Sequence, residues 1–326
     1  PRPRPPTALH PFPTRRPSDL AIYVENLDYR NDLLQDQRQY GLTTAWVGDV
    51  IENRLRWVFE DTASRRVLDS RDVDISSNRT DQNFLSTGPE LSFSANSRDE
   101  LLVSARYGRA WYGDEVSFDS ERYVGRAELR HRLSEISTTG LHYEAARTHY
   151  LDDNINDYDR DEVAAFLSRS LPRSDVRLEA GYNRVLLETG EQFDGALANA
   201  SWRQQWRPNV YTEIRGGWRL TDAAEEAISD AVDGGVDLDL VVTNDVYELK
   251  NVSFSSGWRG RIWRGDLYVR GEQQDYEIQP LDQDIVATEM GLQREISQKT
   301  VFNVFFDFAR RDFLDTERVD KDFTVD

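Results

Sequence analysis

The sequence contains no cysteine, only four histidines and a single methionine among its 326 residues. Without cysteine the chain forms neither a disulfide nor a thiolate metal site, and its redox compartment stays open. It has no run of the roughly 20 apolar residues that a membrane-spanning helix needs. A basic excess is also missing, because the formal net charge is −19. This balance excludes a generic nucleic-acid-binding protein, which needs a basic face to neutralise phosphates.

The first 20 residues differ in composition from the rest. They begin PRPRPPTAL, a proline- and arginine-rich run that suits neither a helix nor a sheet ladder. The next residues, HPFPTRRPSDL (10–20), resemble the peptide obtained when a short-read sequencing adapter is translated, with serine where Pro11 and Pro17 stand. We therefore expect residues 1–20 to be non-native and the true N-terminus, with any signal peptide, to lie outside the sequence. The alternative is a disordered basic arm.

The chain combines few hydrophobic residues, 38% of the total, with many aromatic ones: 8 Trp, 14 Tyr and 14 Phe. Low hydrophobicity is typical of disorder, whereas abundant aromatic residues argue against it. Strands with one apolar and one polar face reconcile the two observations. That combination is typical of a transmembrane β-barrel, in which segments of about ten residues alternate in polarity between turns.

Alternation with period two recurs along the chain. In residues 175–187, Val176 and Leu178 lie on one face and Arg177 and Glu179 on the other. Similar alternation occupies residues 101–111, 123–133, 196–206, 210–220 and 301–310, and is weaker in 161–171. Period two predicts strands rather than helices. Strands of about 10–14 residues exceed the usual 5–6 of globular sheets and suit a tilted membrane crossing.

The connections form two classes. Short turns are predicted at ANSRDE, LSEIST, LPRSDV, WRPNV and ISQKT, and longer acidic loops lie between them. This spacing predicts an antiparallel up-and-down transmembrane β-barrel in a Gram-negative outer membrane, an all-β fold with about 14 strands after residue 38. We expect a loop or partial strand in residues 21–37 and a barrel in 38–326 that is truncated at the C-terminus, as a fragment of a 16–18-stranded whole. A soluble β-sandwich or propeller is the alternative.

Two stretches carry a family resemblance: STGPELSFSANSRDELLVSARYGRAWY (86–112) and YDRDEVAAFLSRSLPRSDVRLEAGYNRV (158–185). Both resemble the repeated hairpin unit of β-barrel porins found with exopolysaccharide export and exosortase (PEP-CTERM) systems. The shared pattern is a charged loop, an alternating strand, a Ser/Arg-rich turn and a strand ending in AGY or ARY. The resemblance implies an outer-membrane pore that is a conduit for secreted polysaccharide, and it implies no catalytic residues.

The polar strand faces supply the candidate site. If they face the lumen, interleaved arginines and carboxylates create a transverse field that selects permeants by charge and size. The alternative is that these arginine–carboxylate pairs only brace the barrel wall from inside. The predicted lumen-lining residues are Arg106, Arg126, Glu128, Arg130, Arg132, Glu144, Arg177, Glu179, Arg203, Tyr211, Glu213, Arg215, Arg219, Arg270 and Glu272.

The sequence offers little for catalysis or metal binding. His131 lies near a turn, His142 faces the polar side beside Glu144, and His149 is near a strand end. None has Ser and a carboxylate at a recognisable spacing, so we assign the histidines to hydrogen bonding. The acidic stretch 152–162 lacks the glycine and the twelfth-position glutamate of an EF-hand loop. We favour a solvated loop that gathers cations loosely over a dedicated Ca²⁺ site. No catalytic residue, metal site or cofactor is predicted.

Three functional hypotheses remain open. The first is a passive channel, a last conduit for exopolysaccharide without energy coupling. The second is a structural or adhesive barrel plugged by its own loops, which binds through those acidic loops. The third is an outer-membrane barrel hydrolase, whose activity would depend on His142 or His149. Expected partners are outer-membrane lipid and lipopolysaccharide, with secreted polysaccharide and a periplasmic export protein as further candidates. Nucleic acid is not a partner, and a monomer is the default state.

Overall fold

The computed structural model describes residues 18–27, 37–67, 79–113, 119–152, 154–222, 245–277, 281–297, 300–313 and 318–325. Sixteen antiparallel strands account for nearly all of them. No helix in these ranges is long and apolar enough to cross a membrane. Residues 1–17 of the segment expected to be non-native lie outside the described residues, and residues 18–20 begin the first strand.

The strands follow one another along the chain and most are 13 to 16 residues long. Their bounds are β1 Ser18–Leu27, β2 Gln37–Ile51, β3 Leu55–Val67, β4 Arg79–Ser94, β5 Asp99–Tyr112, β6 Ser120–Ser134, β7 Ser137–Tyr150, β8 Tyr158–Leu171, β9 Ser174–Leu187, β10 Gln192–Arg207, β11 Val210–Asp222, β12 Val246–Arg259, β13 Trp263–Tyr276, β14 Gln283–Ser297, β15 Thr300–Phe313 and β16 Arg318–Val325.

Each strand pairs with the next in sequence, so the sheet order is the chain order. The predicted fold class, an antiparallel up-and-down barrel, is confirmed. The predicted short turns ANSRDE, LSEIST, LPRSDV and WRPNV lie at one end of the sheet, and the structure adds connections 52–54 and 260–262 there. Residues 298–299 of ISQKT lie outside the described residues, but the strand ends that flank them are at this same end. The strand ends that flank the long acidic connections lie at the opposite end, which we call the loop end. The weakly alternating segment 161–171 also belongs to a full strand, β8, which begins earlier, at Tyr158.

The two faces of the sheet differ as the alternation predicts. In β9, Leu178 and Tyr182 are exposed at 49% and 46%, whereas Asn183 between the exposed positions Tyr182 and Arg184 is completely buried. Large exposed side chains recur on this outward face in nearly every strand, and Trp206, Trp258 and Trp263 lie beside the short turns. An apolar outer band with aromatic residues at its margin suits contact with lipid.

The sheet is strongly curled. Arg122 of β6 forms a 3.4 Å ion pair with Asp222 of β11, although five strand spacings separate the two strands. In a flat sheet their backbones would lie about 24 Å apart. Curvature therefore creates an inward face, on which the polar side chains of the alternating strands lie.

Candidate functional site

The predicted lumen-lining residues share the inward-facing positions of their strands. Those of β6 and β7 form one network, because Glu128 contacts Arg130 at 2.5 Å and Arg126 at 3.1 Å, and Arg126 reaches Glu144 at 3.6 Å. Arg132 lies near the following turn and is exposed. The other predicted residues lie on β5 and on β9, β10, β11 and β13. Their role in permeation remains a prediction.

Several of these charges pair with a neighbour on an adjacent strand, and others pair within their own strand. Glu90 of β4 accepts from Arg56 and from Arg106, both at 2.6 Å. Glu144 contacts Arg160, also at 2.6 Å. Such cross-strand pairs hold long side chains in a fixed arrangement against the wall. These contacts are the arrangement expected if the inward charges brace the barrel wall.

Five strands, β9 to β13, place arginine and serine in a single row. The cross-strand partners along it are Arg177, Ser201, Arg215, Ser253 and Arg270, which we call the Arg–Ser row. The adjacent row, nearer the loop end, contains Glu179, Asn199, Gly217, Asn251 and Glu272. The register thus alternates charged and hydroxyl side chains at about 4.8 Å intervals.

The Arg–Ser row lines a cavity of about 250 Å³ on the inward face. Besides the row, Arg219, Asn199, Asn251 and Tyr268 contribute to its lining. The lining of this cavity includes four arginines and no aspartate or glutamate. Its surface is therefore rich in N–H and O–H donors and presents guanidinium groups.

Packing fixes the arginine at one end of the row. Arg177 donates to Glu179 at 2.9 Å, and its guanidinium carbon lies 4.4 Å from the centre of the Phe166 ring. Phe166 is buried because it lies over Gly140, where an added Cβ would meet the ring at 2.6 Å. The glycine therefore creates the space for the aromatic ring that supports Arg177.

At the loop end, the β11–β12 hairpin leaves the wall and turns inward. The β10–β11 ladder stops at Ala198 and Trp218, whereas the β11–β12 ladder continues to Asp222 and Val246. We call residues 219–222 and 246–250 the inturned tip. Leu220 and Val246 are each 1% exposed and pack in one cluster with Tyr150, Tyr158, Val185 and Leu187.

Polar contacts hold the inturned tip against the opposite wall. Tyr158 of β8 donates its hydroxyl to Asp222 at 2.5 Å, beside the Arg122 ion pair at 3.4 Å. The Asn183 amide donates to the backbone oxygen of Leu220 at 2.8 Å. The interior is therefore packed at this level, which narrows the route between the loop end and the cavity.

The inturned tip was not predicted from the sequence. Tyr158 and Asp222 were expected in the long acidic loops, but both residues are in strands and are almost fully buried. The available signal was weak: a tyrosine and aliphatic residues recur among the acidic residues of these loops. Neither alternation nor composition indicates that two loops 64 residues apart meet.

The three histidines outside the N-terminal segment each contact a carboxylate. His142 is buried on the inward, polar face, as predicted, and contacts Glu162 at 3.0 Å. His131 contacts Asp99 at 2.6 Å and His149 contacts Asp157 at 2.5 Å. Within the described ranges no group of three or more His, Asp or Glu is arranged to hold a metal ion.

Comparisons with known proteins give similarity in architecture only. No family model matches the chain, and no curated protein matches it. Among solved structures, the copper transporter OprC is 8% identical with a TM-score of 0.45; the match covers 92% of this chain and 61% of OprC. The ferric yersiniabactin uptake receptor FyuA of Yersinia pestis is 10% identical with a TM-score of 0.42, and the match covers 92% of this chain and 56% of FyuA. The monoaromatic hydrocarbon channel CymD is 12% identical with a TM-score of 0.35, and the match covers 90% of this chain and 81% of CymD. The chain thus spans about three fifths of the length of OprC.

The chain's own geometry defines its class. It has a meander of long antiparallel strands, an apolar outward face and a polar, charged inward face. That combination identifies a transmembrane β-barrel protein of a Gram-negative outer membrane. In the described residues, the donor-lined cavity beside β9–β13 and the inturned tip above it are the features that offer a candidate site.

Proposed function

We propose that the protein is a passive outer-membrane channel, and that its permeant is an exopolysaccharide on its way out of the cell. The observation that carries this proposal is the cavity on the inward face, which is lined by arginine, serine and asparagine side chains. Sugars present many hydroxyl groups, and acidic sugars add carboxylates. A donor-rich wall can exchange such groups with water as a chain moves along it.

The mechanism requires neither a cofactor nor energy coupling. A threading polymer would replace water along the inward face, while ion pairs within and between strands keep the arginines from collapsing into the lumen. Lipid and lipopolysaccharide would surround the outward face. The short-turn end is the surface that we assign to a periplasmic export protein, and a monomer suffices for this mechanism.

Conductance of the full-length protein in planar bilayers tests the channel. We expect stable single-channel steps whose current falls when an acidic oligosaccharide is added. A protein that inserts, shows barrel-type heat-modifiable migration on gels and gives no conductance at any voltage would contradict the proposal.

A second candidate is a structural barrel that is closed to solutes. The inturned tip favours it, because Leu220 and Asp222 pack against β8 and β9 in the interior. Conductance that is absent in the wild-type protein and appears in Leu220→Ala would support this candidate. Conductance of similar size in both proteins would support the channel.

A further inference from the structure

The Arg–Ser row has the features of a built binding site. Its outer and central arginines are each oriented by a carboxylate: Arg177 by Glu179, Arg270 by Glu272, and Arg215 by Glu213 at 2.6 Å. These three carboxylates are not part of the cavity lining. The site is therefore electrostatically asymmetric, with guanidinium groups at the cavity and their partners to the side.

The neighbouring row keeps the cavity open and adds amide groups. A Cβ at Gly217 would lie 2.8 Å from the side-chain oxygen of Asn251 and 3.1 Å from that of Asn199. Glycine therefore allows both amides to approach each other across β11. An amide both donates and accepts hydrogen bonds, which suits a ligand that carries hydroxyl groups as well as charge.

We propose that the Arg–Ser row binds acidic saccharides, with the arginines on carboxylates and the serine and asparagine groups on sugar hydroxyls. Adjacent arginines of the row lie two strands apart, about 9–10 Å. A single small anion can occupy only one such position, whereas an oligomer with repeated carboxylates occupies several at once and gains from multivalency. The guanidinium fork matches a carboxylate in two-point geometry. The inference rests on the proposed function, which it deepens by naming the class of saccharide.

Binding to the full-length protein in detergent, measured by isothermal titration calorimetry, tests the site. The probes are a hexamer of galacturonic acid, neutral maltohexaose and inorganic phosphate. We expect only the galacturonate hexamer to bind well, with affinity that falls as NaCl is raised. Arg215→Gln should weaken it by about tenfold, the loss expected for one charge-assisted hydrogen bond. Arg215→Lys, which keeps the charge but not the fork, should have an intermediate affinity.

Arg56→Gln is the matched control, since Arg56 also faces inward and pairs with one glutamate at 2.6 Å but lies outside the row. Its affinity should stay within about twofold of wild type. Equal binding of maltohexaose, phosphate binding as tight as the hexamer, or equal effects of Arg215→Gln and Arg56→Gln would each overturn the site. Heat-modifiable migration on gels establishes that each variant is folded.

The two proposals fail separately. Tight binding of the hexamer without bilayer conductance would leave the saccharide site standing and remove the channel. Conductance without hexamer binding would leave the channel standing and overturn the saccharide site.

Discussion

Asp222 is the position at which the inturned tip can be loosened with the smallest change of shape. The Asp222→Asn substitution keeps the size of a side chain that is 2% exposed and removes the charge that Arg122 and Tyr158 contact. The tyrosine hydroxyl can still donate to the amide oxygen, but the charge-assisted bond is lost. Arg122 also loses the ion pair at Asp222.

The expected effect on the inturned tip is about 2 kcal/mol. A hydrogen bond to a charged group contributes about 1.5–3 kcal/mol and a neutral one about 0.5–1.5, and loss of a partner for a partly buried arginine adds to the difference. Two kcal/mol corresponds to about a 30-fold shift between the inturned and released states. The apolar contacts of Leu220 remain, so the tip should open more often without unfolding the barrel.

The measurement is amide hydrogen exchange at residues 219–222 and 246–250, with bilayer conductance recorded alongside. We expect faster exchange and a higher open probability in Asp222→Asn. Asp161→Asn is the control, because Asp161 contacts a tyrosine and an arginine in the same way, Tyr143 at 2.5 Å and Arg184 at 2.8 Å, but its side chain is 37% exposed. Its effect should stay below about 0.5 kcal/mol. Equal behaviour of the two variants would contradict a role for the Asp222 charge in holding the inturned tip.

Three further substitutions test the wall and the loop end by urea unfolding in lipid or detergent. Glu128→Gln should lower the free energy of unfolding by about 2–3 kcal/mol, since this buried carboxylate joins two arginines; Glu100→Gln, at an exposed pair, is the control, and an equal loss would refute the bracing role. Gly140→Ala should cost about 1–3 kcal/mol, because an added Cβ would clash with the backbone oxygen of Leu129 as well as with the Phe166 ring; unchanged stability would contradict this role of the glycine. Partial burial, with neighbouring carboxylates, raises the pKa of Glu277. The charged form of Glu277 is therefore disfavoured in the folded state, so Glu277→Gln should raise the free energy of unfolding at pH 7. This gain should shrink as the pH falls through the raised folded-state pKa of Glu277. A gain that is independent of pH would contradict this prediction.

Alternation along the strands was sufficient to predict the fold. Segments such as 175–187 and 210–220 assign each side chain to a face, because a strand has only two. The short turns at 172–173 and 208–209 then bring consecutive strands together without a choice of partner. In a meander each strand pairs with the next strand of the chain. The alternation of apolar and polar residues within single segments is therefore enough to predict the whole sheet.

Register across long loops and contacts across the interior do not follow in this way. Ser253 lies opposite Arg215 in the β11–β12 register, and 23 residues separate the two strands in the sequence. No local pattern in either strand specifies which residue of β12 pairs with Arg215. The Arg–Ser row was therefore visible as separate arginines but not as a row. The Asp222–Tyr158 contact depends on curvature of the whole sheet, a property that no single segment contains.

The inward turn of the β11–β12 tip has a consequence for the wall that it leaves. Residues 192–197 of β10 pair with β9 on one side, and within the described chain no β11 residue continues the ladder on the other. A short backbone edge thus faces sideways at the loop end, in a fold whose stability depends on having no edges. Among the described residues, the part of β11 that would cover this edge is the part that turns inward. The segment that narrows the lumen is therefore the same segment that leaves one side of β10 without its neighbouring strand.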